Sequence, residues 1–386
     1  MNIFIISRGY PSKQDPTWGC FEKDQAEALH KLGHQIVILA VDTRFRFYWR
    51  ALGIQHARVN GISIYNIFLL PEALLFFLPR SVRDCFFAWQ LDKVYQRATE
   101  HYGTPDILYS HYLRCTQFAI HLKKKYSIPL VGIEHWSALN IRPIPKQIRY
   151  MVDCTYPYVN QLIAVSEPLK QSIMEFNIDT PISVVHNMVG KEFYYSSSTT
   201  SNSLTFVSTG RLIYGKGFDL LINALHETRE QLPSNWQTII IGSGKFKNTL
   251  QKLINSYDLQ QHIHLVGQKN KLEVMQILQH SDIFILPSRG ENFSVAVLEA
   301  LACGMPVIAS ICGGIRECID SKNGLLFPVN DTYALAKSIQ KMVKDINKYD
   351  RKAIAEDCQA RFSSEVIAKQ LIQIFEDTIK KHKEEQ

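Results

Sequence analysis

The amino-acid sequence predicts an α/β protein built from two Rossmann-like, doubly wound domains. Short apolar runs rich in β-branched residues alternate with helical patterns along nearly the whole chain, which is typical of parallel sheets covered by helices on both faces. The polar stretch YYSSSTTSNS (194–203) has the composition of a connector. A length of 386 residues is long for one domain and natural for two.

The first half of the chain contains six predicted strands: NIFIIS (2–7), QIVILA (35–40), ILYSHY (107–112), IPLVGIE (128–134), QLIAVS (161–166) and ISVVH (182–186). Helical patterns lie between most of them, and CFEKDQAEALHKLG (20–33) ends in a glycine suited to a helix cap. The second half repeats this rhythm with LTFVS, QTIIIG, IHLVG, DIFILP, PVIAS and GLLFP. We therefore expect an N-terminal domain over 1–190 and a C-terminal domain over 191–363, with an amphipathic helix at about 364–386 that can pack back on the N-terminal domain.

The composition indicates an ordinary globular protein. The formal net charge of +7 suits an acidic ligand or an anionic membrane, but it is too small to indicate nucleic acid, and no motif that reads DNA or RNA supports such a partner. The eight cysteines include no C-x-x-C pair. We therefore expect reduced thiols, without a disulfide framework or a metal site.

The sequence also bears on location. The opening MNIFIISRGYP lacks the basic region of a signal peptide. The most apolar window, FLLPEALLFFLP (68–79), is far shorter than the roughly 20 residues that span a bilayer. These features predict a cytoplasmic protein.

Ligands of doubly wound sheets bind at the carboxyl ends of the strands. With two such domains facing each other, we expect the binding site in the cleft between them. The motifs of interest should then follow strands directly.

The first such motif is TGRLIYGKG (209–217), which follows LTFVS and precedes a helical pattern. Its glycine-rich turn, with Gly210 at the start, would present backbone N–H groups and a helix N-terminus to an anion. Arg211 and Lys216 add full positive charges. Three interpretations are open: a P-loop, a metal-free diphosphate site, and basic residues at a surface turn. A P-loop requires Ser or Thr after the lysine, where this chain has Gly217, so the metal-free diphosphate site is favoured.

The second motif, IGSG (241–244), contributes Gly242 and Gly244 directly after the next strand. This motif alone is weak evidence for a ligand-binding site, because strands commonly end in glycine. No G-x-G-x-x-G fingerprint occurs in the chain, which disfavours a dinucleotide-dependent dehydrogenase.

The third motif is RGENFSVAVLEALACGMPVIA (289–309), which places two glutamates in an apolar stretch. Glu291 would follow a strand, and a helix should begin near Asn292 to Ser294, either of which could cap it. Glu299 would then lie about two turns into that helix, roughly 10 to 12 Å away. This separation suits a sugar diphosphate, with the sugar near Glu291 and ribose hydroxyls near Glu299. The alternative is that Glu299 pairs with a lysine or a backbone group.

These residues together resemble family 4 of the retaining glycosyltransferases, which have the GT-B fold. The resemblance rests on Glu291-x7-Glu299 with the ALACGMPVIA that follows, and on Gly210-Arg211-Leu212 with Lys216-Gly217. It extends over most of the chain through Ala164-Val165-Ser166, Val185-His186-Asn187, Gly19-Cys20-Phe21 and Gln25-Ala26 with Ala28-Leu29.

The resemblance implies that the C-terminal domain holds a nucleotide-diphosphate sugar and that neither a cofactor nor a metal is needed. Arg211 and Lys216 would contact the diphosphate, Glu291 the sugar and Glu299 the ribose. The backbone from Asn292 through Phe293 to Ser294 would lie near the sugar and phosphate. Further donor contacts would come from Gly210, Gly242 and Gly244.

In the N-terminal domain the resemblance is less complete. His135, in GIEHWS, is similar to a family histidine near the donor sugar's primary hydroxyl, but Trp136-Ser137 replaces a commoner glycine, and a structural histidine is the alternative. Gly19 is followed by Cys20 where many members have a second glycine, so its donor contact is open. His111 is expected to be structural.

Bulky apolar and basic residues are mixed in RFRFYWR (44–50) and LLPEALLFFLPRSVRDCFFAW (69–89). Two interpretations are open: a surface that docks the protein on the inner face of a membrane, near a lipid-linked acceptor, or an ordinary core helix with solvated arginines.

The sequence as a whole predicts a glycosyltransferase that moves a hexose from a nucleotide-diphosphate sugar to a glycan or lipid-linked acceptor in surface polysaccharide biosynthesis. One alternative is a GT-B sugar-nucleotide epimerase, which would turn over the donor without an acceptor. The other is a non-catalytic nucleotide-sugar-binding protein.

Overall fold

The computed structural model describes residues 1–12, 15, 18–45, 50–197 and 203–385. Part of the predicted connector, residues 198–202, and residues 46–49 of the RFRFYWR stretch lie outside the described residues. The chain forms two compact units. Unit 1 comprises Met1–His186 with Ser364–Gln386, and unit 2 comprises Asn187–Ser363.

Unit 1 contains an eight-stranded sheet. Its strands are β1 Asn2–Ser7, β2 Gln35–Asp42, β3 Gly53–Val59, β4 Ile62–Phe68, β5 Ile107–His111, β6 Leu130–Glu134, β7 Gln161–Ala164 and β8 Ile182–Val184. Its helices up to β8 are α1 Cys20–Lys31, α2 Arg80–Tyr102, α3 Tyr112–Tyr126, α4 Lys146–Asp153 and α5 Glu167–Met174. The strand order is β3-β4-β2-β1-β5-β6-β7-β8. Every pairing is parallel except that of β3 with β4.

The β3–β4 hairpin is a feature that the sequence analysis missed. Its turn is Asn60-Gly61, and both residues have positive φ angles, of 51° and 84°. Asn-Gly is the preferred pair for such two-residue hairpin turns. β4 is largely buried, whereas nearly all of β3 is exposed at the sheet edge, so β3 lacked the apolar pattern that identified the other strands.

Unit 2 contains a six-stranded, fully parallel sheet. Its strands are β9 Thr205–Thr209, β10 Gln237–Ile241, β11 Ile263–Gly267, β12 Ile283–Leu286, β13 Val307–Ser310 and β14 Gly324–Phe327. Its helices are α6 Phe218–Thr228, α7 Lys247–Ser256, α8 Lys271–Gln279, α9 Val295–Ala302, α10 Thr332–Asp345 and α11 Arg351–Phe362. The order β11-β10-β9-β12-β13-β14 makes β9 and β12 neighbours, so the residues that follow these two strands share one sheet edge.

The last helix, α12 Ser364–Glu384, returns to unit 1 and packs against α1. The ring of Phe375 lies 4.9 Å from that of Tyr109, and Nε2 of His382 lies 2.9 Å from the carbonyl oxygen of Ser127. The helices of the described residues include none with the length and apolar character to cross a membrane. The predicted architecture of two Rossmann-like α/β units with parallel sheets is confirmed.

Candidate active site

The central feature of unit 2 is an ion pair between Lys216 and Glu291. Nζ of Lys216 lies 2.5 Å from Oε1 of Glu291, and the hydroxyl of Ser288 donates to the same oxygen at 2.7 Å. The pair is partly buried, with side-chain exposures of 23% for Lys216 and 11% for Glu291. Because Lys216 follows β9 and Glu291 follows β12, the topology brings them together at the carboxyl ends of adjacent strands.

The two glycine-rich turns that were predicted to bind the donor pack directly against each other. The N–H of Gly210 donates to the carbonyl of Ile241, and that of Leu212 to the carbonyl of Ser243. A Cβ atom at Gly242 would lie 1.8 Å from the carbonyl oxygen of Gly210, so only glycine fits there. A Cβ atom at Gly244 would lie 2.3 Å from the carbonyl oxygen of Leu212, which is also too close for any residue but glycine. In this structure Gly242 and Gly244 thus support the loop that carries Arg211 and Lys216.

Arg211 stands at the surface of this loop. Its side chain is exposed and has no hydrogen-bond or ion-pair partner within the described ranges of the chain. Lys216 lies at the end of a short 3-10 turn, and α6 begins two residues later. Two cations and a helix N-terminus are therefore close together in sequence and at one strand end, which suits an anion.

Arg289 connects the loop after β12 to neighbouring segments through hydrogen bonds and an ion pair. Its guanidinium group makes two bonds to the carboxylate of Asp219, of 2.8 and 2.7 Å, and one of 2.7 Å to the carbonyl of Tyr214. Its backbone N–H donates to the carbonyl of Gly215 at 2.8 Å. Arg289 thus ties the Glu291 loop to the Lys216 loop and to the first turn of α6.

Asn292, Phe293 and Ser294 are buried and lead into α9. The carbonyl of Phe293 accepts a 3.0 Å hydrogen bond from Nδ2 of Asn187, and the carbonyl of Asn292 accepts one from the N–H of Gly314. Ser294 is the N-cap residue by position, but its side chain makes no capping bond. Ser294, one of the two expected capping residues, thus takes the N-cap position without a side-chain capping bond, and the two backbone carbonyls help to hold the loop.

Glu299 is the fifth residue of α9, which begins at Val295. The helix thus begins next to the expected start at Asn292 to Ser294, and Glu299 lies about one and a half turns into it, where about two were expected. Its side chain is half-buried, unlike those of Leu298 and Ala300 beside it. Partial exposure lowers the cost of holding this carboxylate within an apolar stretch, compared with full burial.

In unit 1, His135 directly follows β6 and lies in a stack of rings. Its ring lies 5.2 Å from that of Phe21 and 5.5 Å from that of His111, nearly parallel to both. Phe21 belongs to the first turn of α1, whose N-cap is Gly19 with a φ of 76°. The structure therefore brings Gly19 and His135 to the same part of unit 1.

Two buried groups next to this stack have strongly shifted pKa values. Burial, with a smaller contribution from Arg8, lowers the pKa of His111 to about 3, so this histidine is uncharged at neutral pH. Burial raises the pKa of Glu134 to about 8, so its carboxyl group is largely protonated at pH 7. The expectation that His111 is structural agrees with its complete burial.

Comparison with known proteins assigns the chain to a protein family. Residues 23–193 match the model of Glycosyltransferase Family 4, and residues 194–356 match that of Glycosyl transferases group 1. An uncharacterized glycosyltransferase of Methanocaldococcus jannaschii is 31% identical over 65% of this chain and 69% of its own length. The chain belongs to the family 4 glycosyltransferases.

Other similar proteins add detail. A putative colanic acid biosynthesis glycosyltransferase of Escherichia coli is 34% identical to this glycosyltransferase over 35% of each chain. Among solved structures, sucrose-phosphate synthase from Thermosynechococcus elongatus superposes with a TM-score of 0.77 and 19% identity over 98% of both chains. Anabaena HepE in complex with UDP gives a TM-score of 0.72 and 18% identity over 98% of this chain and all of its own. These likenesses establish the GT-B fold.

In this glycosyltransferase, unit 2 therefore gathers most of the predicted site at one sheet edge. Ser288 and Arg289 were missed by sequence reasoning, although they orient Glu291 and join its loop to that of Lys216. A signal for Ser288 was present, because it also follows a predicted strand, as the favoured residues do. Arg289 lies in the same loop after that strand, but its bond to Asp219 could not be predicted because the two residues are 70 positions apart.

Proposed function

We propose that this glycosyltransferase is a retaining, metal-independent hexosyltransferase. It moves a sugar from a nucleotide-diphosphate sugar to a glycan or lipid-linked acceptor in surface polysaccharide biosynthesis. The observation that carries this proposal is the Lys216–Glu291 pair, which holds a cation and a carboxylate side by side at the carboxyl ends of β9 and β12.

In the proposed reaction, the bond between the sugar's anomeric carbon and the diphosphate oxygen breaks, and negative charge develops on the leaving diphosphate. Arg211, Lys216 and the N-terminus of α6 stabilise that charge. Fixed cations and dipoles are effective here because they need no reorganisation as the reaction proceeds. Gly217 follows Lys216 where a metal-binding P-loop has Ser or Thr, which supports a site that uses side-chain cations instead of magnesium.

Glu291 is assigned to the donor sugar. The bonds from Ser288 and Lys216 fix its carboxylate, so it can orient sugar hydroxyls and favour positive charge at the anomeric carbon. Glu299 is assigned to the ribose hydroxyls. The Asn292–Ser294 backbone is assigned to the sugar and phosphate, and Gly210, Gly242 and Gly244 shape the donor loop.

The donor's anomeric configuration is retained if the acceptor hydroxyl attacks the anomeric carbon on the same face from which the diphosphate leaves. The acceptor oxygen then forms the new bond to the anomeric carbon, and a donor phosphate oxygen takes the hydroxyl proton.

In unit 1, we assign His135 to the donor sugar's primary hydroxyl and Gly19 to the donor phosphate. The colanic acid relative supports a role in polysaccharide synthesis, and the HepE complex with UDP supports a nucleotide-sugar donor. We place the reaction in the cytoplasm.

A thermal-shift screen against UDP, GDP, ADP and CMP, with magnesium or with EDTA, tests the donor site. A ligand at 100 times its Kd should stabilise the protein by about 2.7 kcal/mol. We expect one diphosphate to raise Tm equally under both conditions, and Lys216→Ala to abolish the shift. Lys337→Ala is the control, because it removes an exposed lysine of α10. No shift with any nucleotide would contradict a preformed donor site.

The reaction is tested with the matching nucleotide sugars and NMR of the product. Retention predicts that the new bond keeps the donor's anomeric configuration. Inversion would contradict the proposed mechanism, and turnover of donor without acceptor would indicate an epimerase.

A further inference from the structure

Tyr112, the first residue of α3, has a backbone conformation that is unusual for an aromatic residue. Its φ angle is 66°, in the left-handed region. The other non-glycine residues with positive φ in the described part of the chain are all Asn, Asp or Ser, which are small and polar. A bulky side chain is sterically unfavourable at this angle. Such strain persists where the surrounding structure fixes it, and it is concentrated at functional sites.

The topology of unit 1 places Tyr112 beside His135. Tyr112 directly follows β5 and His135 directly follows β6, and these two strands are neighbours in the parallel part of the sheet. The ring of Tyr112 lies 5.2 Å from that of His135, at an angle of 42°. It is thus a third ring, with those of Phe21 and His111, next to this imidazole. Because φ sets the direction of the Cα–Cβ bond relative to the preceding strand, the left-handed angle determines where the ring of Tyr112 lies.

The guanidinium group of Arg8 covers the ring of Tyr112, with Cζ 3.7 Å from the ring centroid, in a cation–π contact. Nε and Nη2 of Arg8 donate to the carboxylate of Glu22 at 2.9 and 3.4 Å. The carbonyl of Arg8 accepts a 2.7 Å hydrogen bond from Nε1 of Trp18. The side chain of Glu22 is completely buried, so Arg8 cannot move away without breaking the ion pair of a buried carboxylate. Arg8 therefore holds the ring of Tyr112 from a fixed position.

Core packing alone explains this arrangement poorly. The side chain of Tyr112 is only partly buried, whereas its neighbours His111 and Leu113 are completely buried. A glycine at this position would adopt the left-handed angle without strain. The feature that the strained residue supplies is therefore its ring, which contacts both Arg8 and His135.

We propose that Tyr112 is a positioning residue for His135. Its ring, held by Arg8, limits the orientations of the imidazole, so that the imidazole is already placed for the donor sugar's primary hydroxyl when the donor binds. This role rests on the proposed function, in which His135 contacts that hydroxyl. Discrimination between a hexose and its 6-deoxy analogue then depends on a residue that need not touch the sugar.

Calorimetry tests this role by comparing donors with and without the primary hydroxyl. The ligands are UDP-glucose, UDP-galactose, GDP-mannose and ADP-glucose, each with its 6-deoxy analogue. The measured quantity is the ratio of the Kd of the analogue to the Kd of the parent compound. We expect the wild type to give a ratio of about five to ten with the donor that it binds, as for one hydrogen bond.

Two variants remove the ring without adding backbone strain. Glycine accepts a positive φ freely, and asparagine tolerates it. Tyr112→Gly and Tyr112→Asn should therefore fold, which the Tm of each variant without ligand checks, and both should lower the ratio to below about two. Having two variants keeps the test decisive if one of them does not fold.

Three further variants are references. Tyr112→Phe keeps the ring and should keep the wild-type ratio. Ser127→Gly replaces another residue with positive φ, of 53°, at the C-terminal end of the same helix, and should keep it as well. His135→Ala removes the imidazole and should bring the ratio close to one.

Two results would overturn the positioning role alone. One is an unchanged ratio in the Gly and Asn variants of Tyr112 while His135→Ala lowers it, and the other is an equally large loss in Tyr112→Phe or Ser127→Gly. A wild-type ratio close to one would overturn this role together with the assignment of His135 to the primary hydroxyl. If none of the ligands binds, the proposed donor class is contradicted, and the positioning role falls with it.

Discussion

Lys216 and Glu291 form a 2.5 Å ion pair although 75 residues separate them in sequence. Each follows a different strand, and those strands are neighbours in the sheet only because the topology places β12 beside β9. Ser288 donates to the same carboxylate oxygen. A carboxylate held from two directions costs little entropy to position when a substrate binds, which makes it suited to orienting one.

Replacing Glu291 with Gln should separate catalysis from donor binding. We expect kcat to fall at least about 100-fold, because the charge that supports the transition state is lost while the side-chain shape is kept. The thermal shift with the nucleotide should be nearly unchanged. Glu227→Gln, an exposed position on α6, serves as the control. A normal kcat in the Glu291 variant would remove this residue from the mechanism.

Arg289 should act as a positioning residue through its paired bonds to Asp219. We expect Arg289→Lys to weaken nucleotide binding about fivefold to tenfold, because lysine cannot make both bonds and the Lys216 loop loses its anchor. A double-mutant cycle that combines Arg289→Lys with Asp219→Asn should give a coupling of about 1 to 3 kcal/mol in the free energy of unfolding. Additive effects in the cycle, together with unchanged nucleotide affinity, would show that the clamp does not position the site.

Two glycines of the Lys216 loop should respond differently to substitution. A Cβ atom at Gly217, where φ is 67°, would lie 1.9 Å from the carbonyl oxygen of Pro287, whereas one at Gly215 would meet nothing within 4 Å. We expect Gly217→Ala to lower the free energy of unfolding by more than about 2 kcal/mol and Gly215→Ala to change it by no more than about 0.5 kcal/mol. Urea denaturation measures both, and equal losses would show that the close approach is unimportant.

The buried carboxyl group of Glu134 should make stability depend on pH. Its pKa is raised from 4.5 to about 8 by burial, so between these values the folded state holds a proton that the unfolded state has lost. Stability therefore falls as pH rises through this window. Between pH 6.5 and 8 the loss from this one group is about 2 kcal/mol.

Glu134→Gln tests this dependence because it keeps a neutral, polar side chain of similar size at every pH. Unfolding free energies of the wild type and the variant should diverge in favour of the variant as pH rises from 6.5 to 8.5. Parallel curves over that range would mean that Glu134 does not hold its proton in the folded state.

Of the fourteen strands among the described residues, the sequence predicted twelve, together with the strand ends that carry the candidate site, because buried parallel strands have a strong apolar pattern. It missed β3, which is exposed, and with it β4, although Asn60-Gly61 was a sufficient signal for a hairpin. The pairing of Lys216 with Glu291 could not be predicted in detail, because it depends on strand order. The Arg289–Asp219 clamp and the ring stack around His135 likewise depend on contacts between distant segments.

The return of α12 to unit 1 has a consequence for biosynthesis. A ribosome makes residues 187–363, the whole of unit 2, before it makes the helix that packs on α1. Until Ile367, Leu371 and Phe375 emerge, the surface of unit 1 that they cover remains open to water. The half of the protein that is synthesised first is therefore the half that is completed last, and a chain released after residue 363 would contain all of unit 2 but only part of unit 1.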